Sequence, residues 1–227
     1  MHENEPVYVV DMNKEVQRAK WFKEDLEKSG WRMVFTKPGE TFWIKTILAE
    51  KIKTKILYKL TLPMPGEMFA MLLHPENLET RREWDHAFKD HKMLEKLPNG
   101  GYITYTRAIL PWPLADRDFV FFVPPAEEID WYGKKSLFLV QKNAIHEQKP
   151  IEQDAVRATN GGDFCVITPD INQPHDKCEI FGLSNNSYNG SIPDCATKCV
   201  VANSVPQLLD TLISNMITKY NQQINHK

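Results

Sequence analysis

Nowhere along the chain is the apolar pattern more regular than near its end. Val205, Leu208, Leu209, Leu212, Ile213, Met216, Ile217, Tyr220 and Ile224 recur at steps of three and four, and Gln207, Asp210, Thr211, Asn215, Lys219 and Gln222 take the other face. Ser204 with Gln207 makes a capping box, and Pro206 falls in a first turn, where its missing N–H costs nothing. The pattern therefore predicts a helix over 204–224 with one wide apolar stripe. Such a stripe either completes a core or roofs a cavity.

The preceding chain reads mostly as strands. A first helix, capped by Asp11 or Asn13 and stopped at Gly30, carries Val16, Ala19, Phe22 and Leu26 on one side. Three strand-like segments follow at 31–36, 41–47 and 55–62; in the last, Ile56, Tyr58, Leu60 and Leu62 alternate with Lys55, Leu57, Lys59 and Thr61. Pro63 and Pro65 end this meander, and 66–74 and 75–84 read as two short helices. Further strands are expected at 89–96, 101–110, 116–123, 136–142, 163–168 and 177–183. The order is α+β, with helices segregated to one face of an antiparallel sheet, and no linker or repeat divides 1–227 into more than one domain. A long twisted sheet covered by one helix curls around an elongated interior.

Composition narrows the function. The 227 residues suffice for a sizeable core, and a net charge of −2 with interspersed signs offers no basic arm for nucleic acid. No signal-like start and no apolar run of membrane-spanning length is present, so a cytoplasmic protein is expected. Cys165, Cys178, Cys195 and Cys199 are then expected as free thiols; a metal site joining His175 and Cys178 to the Cys195/Cys199 pair lacks the tight spacing of zinc ligands. Without a secretory signal, the sequons at Asn185 and Asn189 read as polar turns.

Candidate chemistry gathers in two stretches. Arg81 and Asp85 share a helix face at i, i+4 beside Trp84, either as a surface ion pair or as a buried pair meeting a ligand. Between 110 and 119, Pro111 and Pro113 hold Trp112 and Leu114 in a stiff apolar turn that either packs on the last helix or meets a membrane. There is no Gly-x-Ser-x-Gly elbow, phosphate-cradling glycine loop or His-Glu-x-x-His motif, so no enzymatic activity is expected.

Several landmarks occur in a particular order: Arg81-x-x-Trp84-Asp85, Tyr102 to Tyr105, Pro113 to Phe119, Val156 to Ala158 before Gly161-Gly162, Asn189 to Pro193, and Val205 to Leu209. In that order they resemble the START lipid-transfer domain over nearly the whole chain. The resemblance implies a helix-grip fold, in which a curved antiparallel sheet of about nine strands wraps a long C-terminal helix around a tunnel for one lipid. It implies a carrier that moves a sterol, glycerophospholipid or sphingolipid between membranes as a monomer, without cofactor or covalent chemistry. By the resemblance, Arg81, Trp84, Asp85, Tyr102, Tyr105, Arg107, Phe119, Phe121, Leu209, Leu212 and Met216 would bind the lipid, with Arg81 and Asp85 near the polar end of the tunnel. Leu110, Trp112, Leu114, Ile192, Val205 and Leu208 would form a gate at the membrane, and Arg117 and Asp118 the base of its loop.

Two departures bear on the ligand. Phosphatidylcholine carriers of the family place a choline-caging tryptophan where Thr106 stands, and sterol carriers an acid–arginine pair at Thr106 and Val123. A phospholipid or sphingolipid with an anionic or zwitterionic head is favoured over sterol. The competing readings are a cavity enzyme on the same fold, of thioesterase or aromatase/cyclase type, and a lipid sensor read by a partner. A redox role for Cys195 and Cys199 near the gate is suggested by spacing alone.

Overall fold

A computed structural model describes residues 8–28, 30–50, 52, 54–86, 88–110, 115–151, 154–190 and 194–225, without the side chains of 194–205 and 225. Helix α1 (Met12–Leu26) opens on Asp11, whose carboxylate accepts the N–H of Lys14. Strands β1 (Arg32–Lys37), β2 (Glu40–Thr46) and β3 (Thr54–Leu62) form the expected meander, and β3 keeps the alternation read from its sequence. After it come α2 (Gly66–Leu73), a 3-10 turn (Pro75–Asn77) and α3 (Leu78–Arg81). Then follow β4 (Phe88–Lys96), β5 (Tyr102–Ala108), β6 (Arg117–Val123), β7 (Glu127–Trp131) and β8 (Lys134–Asn143). The short β9 (Val156–Arg157) and β10 (Thr159–Asn160) lead to β11 (Asp163–Pro169), β12 (Cys178–Ser184), β13 (Asn186–Ser187) and α4 (Asp194–Asn225).

The main sheet follows the order β1-β2-β3-β12-β11-β8-β6-β5-β4, a nine-strand antiparallel path as expected. Beside it, β7 pairs with β8, β9 runs parallel to β6, and β10 pairs with β13. Both faces of its first half are covered. On one, Ala19 and Phe22 of α1 pack against Leu57, Phe138, Phe164, Val166 and Phe181. On the other, Phe69 and Leu72 of α2 and Leu212, Ile213 and Met216 of α4 pack against Leu60, Leu62, Ile167 and Ile180. Burying these large side chains, at about 1.5–3 kcal/mol each, is what holds the three helices to the sheet.

Two expectations are corrected. Helix α4 begins at Asp194, so Ser204 is not its cap and Pro206 lies inside the helix, with no N–H for the carbonyl of Ala202. A local capping signal is overridden here because the upstream residues are themselves helix-compatible. Strand β7 was not expected, since Pro124 and Pro125 precede it and two glutamates open it; it exists because a tight turn pairs it with β8. Tyr132 and Gly133 take φ of 53° and 79°, and the Asp130 carboxylate accepts the N–H of Gly133 at 3.1 Å.

Candidate functional site: a hollow under the last helix

The interior is hollow. A cavity of about 970 Å³ lies between the sheet, α2 and α4, lined mainly by apolar side chains. That is the upper end of the roughly 300–1,000 Å³ usual for small-molecule sites. Phe119 and Phe121 of β6, stacked with ring centres 5.2 Å apart, face Leu208, Leu209, Leu212 and Met216 of α4 across it. Leu110 is buried at its margin.

One wall is charged. Arg81 closes α3 and is 9% exposed, and Asp85, one turn on, is 1% exposed. The Nε of Arg81 donates to Oδ2 of Asp85 at 2.7 Å, so the pair is the buried alternative, not a surface bridge. With Nε engaged, the Nη groups remain for whatever occupies the cavity that Arg81 lines. The guanidinium also sits 5.5 Å from the centre of the Phe88 ring and 6.0 Å from that of Trp84.

His91 extends this wall. On β4 it is 1% exposed, with Nε2 3.4 Å from Oδ2 of Asp85 and Nδ1 3.2 Å from Oγ1 of Thr106, its partner in the β4–β5 register. The Nε2 contact is too long and misaligned for a hydrogen bond, and Oδ2 is already taken by Arg81, so the Nδ1–Thr106 pair is the hydrogen bond of this imidazole. Burial, reinforced by the charge of Arg81, pushes the imidazole below its ordinary value, against the pull of Asp85. Burial acts to raise Asp85, but the imidazole of His91 at 3.4 Å and the charge of Arg81 outweigh it and hold the carboxyl below its ordinary value.

The other expected residues divide by strand parity. On β5, Tyr102, Thr106 and Ala108 line the cavity, whereas Tyr105 and Arg107 lie on the opposite face. Tyr105 packs with Ile103, Val120 and Phe122 beneath the Lys149 ammonium, 4.2 Å from its ring centre. Arg107 is tied to Asp116 at 2.9 Å and Asp154 at 2.6 Å. Expecting both inside is therefore corrected by a one-residue shift of face. Trp84 packs on the core beside the wall and Asp85 stands behind Arg81. The Tyr102 hydroxyl is engaged by Glu76 at 3.0 Å.

At the loop base, Arg117 donates to the carbonyls of Tyr188 and Ala115, and Asp118 accepts two bonds from Arg157 at 3.0 and 2.9 Å. The gate residues Trp112, Leu114 and Ile192, and the side chains of Val205, Cys195 and Cys199, lie outside the described residues.

The family model of the START domain matches residues 14–218. The chain belongs to the START-domain family. Among solved START structures, human STARD10 superposes with a TM-score of 0.74 at 19% identity, covering 99% of this chain and 88% of that one. Human StAR-related lipid transfer protein 5 gives 0.71 at 14% identity, covering 95% and 100%. The helix-grip fold of START proteins is thus the fold of this chain. Among curated sequences, the phosphatidylcholine transfer proteins of Bos taurus and Rattus norvegicus are each 23% identical over 137 residues, 60% of this chain. The match spans 62% and 61% of the length of these relatives. Among the described residues, no helix of this START chain is long and apolar enough to cross a membrane.

Proposed function

We propose that this START domain binds one lipid, a phospholipid or sphingolipid in preference to a sterol, and carries it between membranes from the cytoplasm as a single-domain monomer, needing no cofactor. The observation that carries the reading is a large apolar cavity with a buried arginine in its wall. Arg81 supplies a forked donor for a phosphate, and Phe119, Phe121, Leu209, Leu212 and Met216 supply a dry path for acyl chains, at about 0.8 kcal/mol per CH₂ removed from water. The relatives named for phosphatidylcholine transfer point the same way. A choline cage has less support: Thr106 bonds His91, and the ring of Tyr105 faces away from the cavity. Trp112, Leu114, Leu110, Ile192, Val205 and Leu208 would form the gate, opening against a bilayer, where leaving the cavity does not expose acyl chains to water.

A second reading has one observation in its favour. Thr106, His91 and Asp85 stand in hydroxyl–imidazole–carboxylate order, the arrangement of a hydrolytic triad. Arg81 bonds the same oxygen, Oδ2, that faces His91, and burial makes the imidazole a weaker base, so the trio reads as support for Arg81.

Native mass spectrometry of the purified chain, followed by organic extraction, tests the choice. One bound phosphorus-containing lipid per chain, with binding weakened about tenfold in Arg81→Lys because the fork is lost, is expected. A chain that takes up neither phospholipid nor ceramide nor sterol from vesicles, or that turns over acyl esters in a Thr106-dependent way, overturns the carrier reading.

A further inference from the structure

The cavity has a second polar region, away from Arg81. It begins with a glycine. In the register of β3, β12 and β11, Tyr58 stands opposite Gly182, and Gly182 opposite Cys165. A Cβ at Gly182 would collide with the ring carbon and hydroxyl of Tyr58, so the tyrosine lies flat across the glycine, toward Cys165 on the next strand. Only a residue without a side chain permits that path.

Next to Cys165 on the same face of β11 is Asp163. Its Oδ1 accepts the N–H of Asn185 at 2.7 Å and its Oδ2 the amide of Asn186 at 2.9 Å. A carboxylate offers about four acceptor sites, so these two bonds leave capacity for a further donor, and Asp163 lines the cavity. Tyr188, edge-on to Phe119 with ring centres 6.3 Å apart, adds a second phenol, and Ser184 and Asn186 line the same stretch. Tyr58, Asp163, Cys165 and Tyr188 all keep accessible surface, and all line the cavity. Burial raises the Asp163 carboxyl above its ordinary value; burial raises both phenols too, followed at Tyr58 by Cys165 and then Asp163, and at Tyr188 by the charge of Asp163.

These groups are not part of the Arg81 wall. Arg81 and its partners stand against β4 and β5, whereas Tyr58, Asp163 and Cys165 stand on β3 and β11 with Gly182 of β12 between them, and Tyr188, just after β13, reaches from there to Phe119 of β6. Strands β5 and β11 are three steps apart in the sheet, roughly 14 Å at 4.7–4.9 Å per step. That distance falls along an acyl chain, well beyond the atoms next to a head group. A plain alkyl chain laid there would strip water from a carboxylate and two phenols and return nothing, a cost that a ligand hydroxyl avoids.

We infer that Asp163, Tyr58 and Tyr188 form a subsite for a hydroxyl carried part-way along the ligand's hydrocarbon chain, so that the preferred lipid is a hydroxylated one. The inference rests on the carrier reading and fails separately from it. The full chain, stripped of lipid, is offered vesicles containing equal amounts of stearoyl phosphatidylcholine and its mid-chain hydroxystearoyl counterpart, and the two bound masses are compared. About tenfold enrichment of the hydroxylated lipid is expected, the worth of one hydrogen bond inside a dry site. In Tyr58→Phe/Tyr188→Phe the ratio should fall toward one. Lipid bound at a ratio near one by the unaltered chain overturns the inference and leaves the carrier standing. An enrichment that survives the double substitution overturns the assignment to this cluster, and binding of neither lipid overturns the carrier reading itself.

Discussion

At the level of single residues, the i, i+4 spacing of Arg81 and Asp85 was readable, but its burial was not. Nothing local separates a surface pair from one facing a cavity until β4 and β5 are folded against it. His91 gave still less signal. It sits among Lys89, Asp90 and Lys92, and its role depends on standing opposite Thr106 in a register that includes two irregularities. Its environment makes a pH prediction with a definite sign. Above the ordinary imidazole value of 6.5, His91 is neutral folded or unfolded. As pH falls through 6.5, the unfolded chain takes a proton that the folded chain resists until its own, lower value is reached, so stability declines. Asp85 adds a further loss only at more acid pH, as its depressed folded value is crossed from above. Melting temperatures at about pH 7.5 and about pH 5.5 should therefore differ less in His91→Gln than in the unaltered protein. An equal drop in both would remove His91 from the account.

Among the elements, the strands were legible because the sheet has a period of two, and α4 because its stripe has the period of a helix. What escaped was face and boundary. The Tyr102–Tyr105 stretch looked uniformly suited to a ligand, yet parity sends Tyr105 and Arg107 outward. Helix α4 ran past its apparent cap, so Pro206 sits between a stretch continuing to Asp194 and the stretch packed on the core. Beyond that proline, Asp210 pairs with Lys37 on β1, which also holds Glu40 of β2 at 2.9 Å. This is a link between helix and sheet near the surface, worth under about 1 kcal/mol to stability. If α4 swings as part of the gate, Asp210→Ala should speed lipid exchange between vesicles with little change in melting temperature. Trp112→Ala should slow transfer more than it weakens equilibrium binding. Equal effects on rate and affinity from Trp112→Ala would make it a packing residue instead of a membrane contact.

For the molecule as a whole, the order of elements specified the fold, because a long antiparallel sheet with one apolar-striped helix has few ways to close. It did not specify whether the closed shell is filled. That depends on side-chain volumes summed over many strands, and on details such as Gly182, which lets Tyr58 lie down where a larger residue would push it into the space. The charged wall and the second polar region have a thermodynamic consequence. A purely greasy hollow can stay dry, but one with Arg81 on one side and Asp163 on another draws in solvent before a lipid arrives. At roughly 30 Å³ per molecule, about 970 Å³ has room for some thirty waters. Lipid entry returns them to bulk while covering the phenylalanines and leucines of the wall, so calorimetry over a range of temperatures should show a binding enthalpy that becomes steeply more negative on warming, the heat-capacity signature of desolvated apolar surface.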